Sequence, residues 1–209
     1  MDKTAYHLEI GDFKCTVFND GTLDGEGETY GLNCLYIASG RNRILIDNGC
    51  GAGFRSNVGL LMKNMAGEGI KGGDITHMVF THGHIDHVGG TVDKDGKPAF
   101  PNARYIVLQK EWENWATPPG DNETHNMLFG PARKYLLPQP ECFDIVKANH
   151  EVVPGIKLIA APGHTPGNAM VKITSRGEKL LCIGDVMHSQ REFTDPKALI
   201  AWDVTPEQA

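Results

Sequence analysis

The chain has 209 residues, with 26 acidic against 20 basic side chains and a formal net charge of -6, long enough for one large domain with its own core. Its 40% hydrophobic and 22% charged shares exclude a collagen, a coiled coil and a disordered tail. Basic residues cluster only in pairs such as Arg41/Arg43 and Arg133/Lys134, too sparse for a nucleic-acid surface.

In chain order, Phe13 to Asn19, Asn33 to Ala38 and Arg43 to Asp47 read as short strands of an antiparallel meander, punctuated by turns at Asn19-Asp20-Gly21 and Ser39-Gly40. Ser56 stands as an N-cap before Val58, Leu61, Met62 and Met65, a helical stripe closed by Gly67 and Gly69. Ile75 to Thr81 and Tyr105 to Leu108 read as strands, and Lys110 to Ala116 as a short helix. Pro118 to Asn122 marks a loop, and residues 131 to 137 form a second helix stopped by Pro138 and Pro140. Ile156 to Ala160, Ala169 to Thr174 and Lys179 to Gly184 are strands again, with turns at Pro162-Gly163 and Ser175-Arg176-Gly177. One compact α/β domain with two β-rich halves follows. No apolar run approaches the roughly 20 residues that span a bilayer, and Met1 to Thr4 opens a polar segment rather than a signal core, so no membrane partner and a cytoplasmic address are expected. Cys15, Cys34, Cys50, Cys142 and Cys182 form no CxxC pair and are expected as buried free thiols.

The segment Thr81-His82-Gly83-His84-Ile85-Asp86-His87-Val88-Gly89-Gly90 packs three imidazoles and one carboxylate into six positions at a strand end. Neutral imidazole suits transition metals and carboxylate adds charge compensation. His82 and His84, two apart on extended backbone, can face one ion, while Asp86 and His87, beyond the turn, face another. His164 on the Ala161-to-Gly167 turn and Asp185 after Cys182-Ile183-Gly184 are further strand-end ligand positions.

These motifs resemble the metallo-β-lactamase fold superfamily of hydrolases over nearly the whole length, with Asp47 similar to its early strand-end Asp. The resemblance implies an α/β (α+β) four-layer αββα sandwich, a single domain over 1–209, and two divalent metal ions, zinc foremost with Fe, Mn or Co as alternatives. It assigns His82, His84 and His164 to the first metal, Asp86 and His87 to the second, and Asp185 to both. Gly184 to His188 and Ala201 to Ala209 are similar to the lactonase and methyl-parathion-hydrolase-like branch. That implies a metal-bound hydroxide opening a lactone, ester or phosphotriester, with Asp86 and Asp185 as catalytic groups. His188 then either polarises the substrate carbonyl or supports Asp185. A small-molecule substrate is the expected partner, and a homodimer is compatible. A glyoxalase-II-like thioesterase and a truncated metal-binding domain with little activity are the alternatives. Trp112, Trp115, Met127 and Phe129 read equally as a pocket wall or as core. His77 reads as a satisfied strand residue, and His7, His125 and His150 as surface.

The family's second metal normally takes another His well downstream of the bridging Asp, whereas His188 is the one His after Asp185 here. Thr205-Pro206-Glu207-Gln208 reads as a capped helix start just before Ala209, with a frayed terminus as the plain alternative. The expectation is that the domain is incomplete at its C-terminus and that the second metal site is weak or empty.

Overall fold

A computed structural model describes residues 4–25, 28–52, 54–118, 123–195, 203–205 and 207–208. Most of the Pro118-to-Asn122 loop, Trp202, Pro206, Ala209 and the His125 side chain lie outside the described residues.

Two sheets face each other. The larger runs in chain order from β1 (Ala5–Ile10) through β2 (Phe13–Gly25), β3 (Glu28–Ser39), β4 (Asn42–Ile46), β5 (His77–Val79) and β6 (Arg104–Leu108) to β7 (Phe143–Val146). The smaller is ordered β11 (Glu178–Cys182), β10 (Ala169–Ser175), β9 (Ile156–Ala160), β8 (His150–Val153). Strands β1 to β4 form the expected antiparallel meander, while β4 to β7 pair in parallel. Ile44, Leu45 and Ile46 are all fully buried, because this part of the sheet is covered on both faces.

Between the sheets lie Ile37, Ile44, Ile46, Val79 and Ile106 from one and Ile156, Leu158, Val171 and Ile173 from the other. The outer face of the larger sheet packs Phe18, Leu45, Met78, Phe80 and Val107 against Leu61 and Met65 of α1 (Leu61–Gly67) and Trp115 of α3 (Gln109–Ala116). The helix α2 (Ile85–Val88) carries the second half of the histidine motif, and α4 (Glu123–Leu128) and α5 (Gln190–Thr194) follow.

Several local expectations give way to tertiary contacts. Asn19-Asp20-Gly21 is not a turn: β2 runs through it, with a bulge between Asn19 and Gly21. Asp20 is fully buried, and its carboxylate accepts the backbone N–H groups of Cys50, Gly59 and Leu61 at 2.8, 3.2 and 2.9 Å. That pull also displaces the helix start, so Val58 bridges Gly21 and α1 begins at Leu61 without Ser56 as its cap. The segment expected as a helix over 131–137 is a π-turn, Ala132–Leu136, with Leu137 N–H bonded to Ala132 O at 3.1 Å. Of the five free thiols, Cys15, Cys34 and Cys50 are buried, while Cys142 and Cys182 are half-buried. Strands β1, β7 and β8 and helices α4 and α5 were not anticipated from the sequence. No described helix is long and apolar enough to cross a membrane.

Candidate metal centre

The site forms at the ends of strands from both sheets. Asp47 follows β4, the histidine motif follows the neighbouring parallel strand β5, the His164 turn links β9 to β10, and Asp185 follows β11. Residues at strand ends are exposed by topology yet held rigidly by the ladder behind them.

All six expected ligand positions converge there. The rings of His82, His84 and His164 lie 4.6–4.7 Å apart, and His164 Nε2 is 2.9 Å from His84 Nδ1. On the other side, the His87 ring is 4.0 Å from that of His82, and its Nε2 lies 3.7 Å from Asp86 Oδ2. Asp185 stands between the two sets. Its Oδ1 is 3.2 Å from His87 Nε2, and its Oδ2 lies 3.5 Å from His164 Nε2 and 4.0 Å from His82 Nε2. A one-turn 3₁₀ segment, Gly184–Val186, brings His188 back toward the cluster, with its Nε2 3.4 Å from Asp185 Oδ2. Three donor groupings are compact enough to hold a metal: His82/His84/His164, His82/His87/Asp185 and His164/Asp185/His188.

The Nδ1 atoms of three of these rings are already engaged. Asp47, on a left-handed φ of 58°, accepts Thr81 N–H at 2.8 Å and Thr81 Oγ1–H at 2.7 Å, and its Oδ2 lies 2.8 Å from His87 Nδ1. Thr81 Oγ1 in turn sits 3.1 Å from His82 Nδ1, and Asp203 Oδ1 is 2.9 Å from His164 Nδ1. In the neutral form of each ring, an acceptor at Nδ1 places the proton there and leaves the Nε2 lone pair pointing inward.

Burial and mutual repulsion with His87 and His84 push His82 well below the ordinary histidine range. Burial opposes charging of His87 as well, but Asp185, Asp86 and Asp47 around it outweigh burial and raise it well above that range. Desolvation works against ionised Asp185, yet His87 and His188 hold it well below the usual carboxylate range, while burial raises Asp86. His188 is raised to about 9, because Asp185 and Glu192 overcome the cost of its burial. Glu192 also accepts the backbone N–H groups of His188 and Ser189 at 3.1 and 2.8 Å, fixing the entry into α5.

The donor set fits divalent cations on two observations. His82 Nε2 is a buried nitrogen without a hydrogen-bond partner among the described residues, a state that is costly unless something else ligates it. Asp47, Asp86 and Asp185 pair with no Lys or Arg among the described residues and form ion pairs only with the imidazoles of the cluster, a concentration of negative charge that a divalent cation would neutralise.

The profile of the metallo-beta-lactamase superfamily matches residues 28–208. The chain belongs to the metallo-beta-lactamase superfamily. The N-acyl homoserine lactonase AiiA of Bacillus thuringiensis subsp. kurstaki is 26% identical over 196 residues, covering 84% of this chain and 71% of that protein. Among solved structures, the dizinc quorum-quenching lactonase AidC superposes with a TM-score of 0.90 at 23% identity, over 97% of this chain and 82% of that one. A second structure, the hydrolase AbOPH of the beta-lactamase superfamily, superposes at 0.83 with 26% identity, over 100% of this chain and 83% of that one. The family, its αββα sandwich and the lactonase-like branch expected from the sequence are borne out, and with them the reading as a metal-dependent hydrolase.

Within this metallo-beta-lactamase frame, several residues refine or extend the sequence-based picture. Trp115 and Phe129 are both fully buried core, with Phe129 also packed edge-on against the His84 ring at 4.7 Å, and Met127 is exposed. His77 is satisfied by Thr76 Oγ1 at 2.8 Å, and His7 and His150 are exposed, as expected. Thr205, expected as a helix cap, accepts Gln208 N–H on its carbonyl at 2.9 Å, while its own N–H and Oγ1–H donate to Gly163 O in the His164 turn at 3.0 and 3.2 Å. Asp203, Glu192 and Glu111 were not singled out by sequence reasoning. Each lies outside the histidine motif, and no spacing rule ties it there.

Proposed function

We propose that the chain is a two-metal lactone hydrolase in which His82, His84 and His164 hold one divalent ion, Asp86 and His87 the other, and Asp185 reaches both. The observation that carries this reading is the position of Asp185, whose two oxygens face two different sets of imidazoles. Zinc is the natural choice for a site of imidazole and carboxylate donors. Divalent ions bound there supply Lewis acidity and lower the pKa of water.

The chain's own groups then have distinct tasks. Asp86 orients the attacking water, accepts its proton and passes that proton to the departing ring alcohol. In balance, the water oxygen adds to the lactone carbonyl carbon, the ring C–O bond breaks, and an open hydroxy acid results. His188, backed by Glu192 and 3.4 Å from Asp185 Oδ2, holds the Asp185 carboxylate in place. Asp203 sets the tautomer of His164. Five unpaired cysteines favour a reducing compartment, in keeping with a cytoplasmic address.

Zn-, Co- and Mn-loaded protein assayed in parallel on an N-acyl homoserine lactone, an aryl ester, a thioester and a phosphotriester should give its highest kcat/KM on the lactone. A folded, metal-loaded sample that opens no lactone would overturn the reading. Asp203→Ala should weaken Co(II) binding about tenfold or more, as loss of a carboxylate behind a ligating imidazole generally does. Asp203→Asn, which keeps an acceptor at His164 Nδ1, should lose less. Equal Co(II) titration curves for Asp203→Ala and the parent chain would show that His164 does not depend on that carboxylate.

A further inference from the structure

One buried carboxylate outside the ligand set touches both halves of it. Glu111, in the first turn of α3, is fully buried. Its Oε1 accepts Gly83 N–H and Trp115 Nε1–H, both at 2.9 Å. Its Oε2 accepts Thr165 Oγ1–H at 2.6 Å and Gly167 N–H at 3.1 Å. Gly83 lies between His82 and His84, while Thr165 and Gly167 follow His164 within its turn. One side chain therefore ties the loop between β5 and α2 to the loop between β9 and β10.

The packing is close enough to dictate residue type. A Cβ on Gly83 would fall 1.9 Å from Trp115 Nε1, and one on Gly167 would fall 2.0 Å from the Glu111 backbone nitrogen. Helix α3 thus lies directly against both loops at positions where only glycine fits. Four donors aimed at one side chain also specify its chemistry. Three of them are N–H groups that cannot accept, so the carboxylate satisfies the set and an amide does not.

We propose that Glu111 is the positioning residue that sets the separation between the two halves of the metal-ligand set, by holding the His82–His87 loop and the His164 loop against one helix. The spacing of His82 and His84 from His164 then depends on a residue that contacts neither substrate nor metal. The inference rests on the metal-centre reading only for its effect on metal binding. The tie between the loops is testable without any metal.

Hydrogen exchange on metal-free protein provides that test. Glu111→Ala should raise exchange in residues 81–86 and 161–168 together, about tenfold or more, while β4, β6, β9 and β10 keep their protection. Glu111→Gln should act selectively. Its amide can accept from Gly83 and Trp115 at one end but must face Gly167 N–H at the other, so exchange should rise in residues 161–168 and stay low in 81–86. If Glu111→Ala does not fold, Glu111→Gln carries the test alone. Unchanged exchange in both loops, or a uniform rise across the domain, would overturn the proposal.

Co(II) titration of the same variants reads the consequence. Both should bind about 10- to 100-fold more weakly than the parent chain, with altered visible bands. Ile173→Ala, a cavity between the sheets, should lower thermal stability and leave the Co(II) affinity and spectrum unchanged. Equal losses in Ile173→Ala and Glu111→Gln would reduce Glu111 to a general stability residue and overturn the proposal. Failure of the parent chain to bind Co(II) would count against the proposed function, while the exchange experiment still decides the role of Glu111.

Discussion

Replacing Asp185 with Asn should lower kcat/KM on a lactone at least about a hundredfold, equivalent to about 2.7 kcal/mol of transition-state stabilisation. Asp185 places Oδ1 beside His87 and Oδ2 beside His82, His164 and His188. An amide keeps the shape but supplies an acceptor oxygen on one side only, turns an N–H₂ toward the other, and removes one negative charge from the middle of the cluster. Disruption behind a metal ligand already costs about 10- to 100-fold, and in the proposed centre Asp185 is itself a ligand. Kinetics should be measured at saturating Zn or Co alongside metal content, because weaker metal retention and slower turnover would both follow. Full turnover in Asp185→Asn would refute the central place given to this carboxylate.

Asp20→Ala should destabilise the fold by about 4 kcal/mol, since three buried N–H donors would be left without partners at about 1–3 kcal/mol each. Those donors belong to Cys50, Gly59 and Leu61. The substitution therefore releases the segment between β4 and α1 and the start of α1 at once. Burial raises the Asp20 carboxyl while its three N–H partners pull it down. That environment suits an acceptor with two oxygens. Asp20→Asn should cost about half as much, because its single oxygen can serve Cys50 and Gly59 while the amide nitrogen faces Leu61 N–H. Urea unfolding midpoints of the two variants and the parent chain measure both effects. A change within about 0.5 kcal/mol for Asp20→Ala would place the residue among ordinary surface substitutions and contradict the account of the loop.

The same residue shows where the sequence stops being legible. Asn-Asp-Gly is strong turn chemistry, and nothing near Asp20 in the chain reveals that its partners lie 30 to 41 residues downstream. Glu111 looks like one more charge on a short polar helix, beside Lys110 and Glu113, and its burial is created by loops 28 and 56 residues away. Asp203 stands 39 residues from His164. The histidine motif was readable because its donors are contiguous and rare in combination, and His164 and Asp185 were readable as strand-end positions beside it. Strands β9 to β11 were visible as strand-rich runs set off by turns, whereas β7, four residues of mixed character after Pro140, carried too little pattern to register. Local rules thus picked out the side chains that converge, and the carboxylates that fix their geometry emerged only from the packed fold.

Recruitment of donors from both sheets also shapes how such a molecule comes apart. His82 to His87 hang from β5 in the larger sheet, while His164 and Asp185 hang from β9 and β11 in the smaller. The complete set can exist only after the two sheets have docked, a late event because those contacts span long stretches of chain. Ions that need the whole set would then act on the escape from the native state rather than on the approach to it, slowing unfolding while leaving the folding rate nearly untouched. Viewed this way, the centre is a rivet driven through a finished sandwich, and its grip is felt as lifetime.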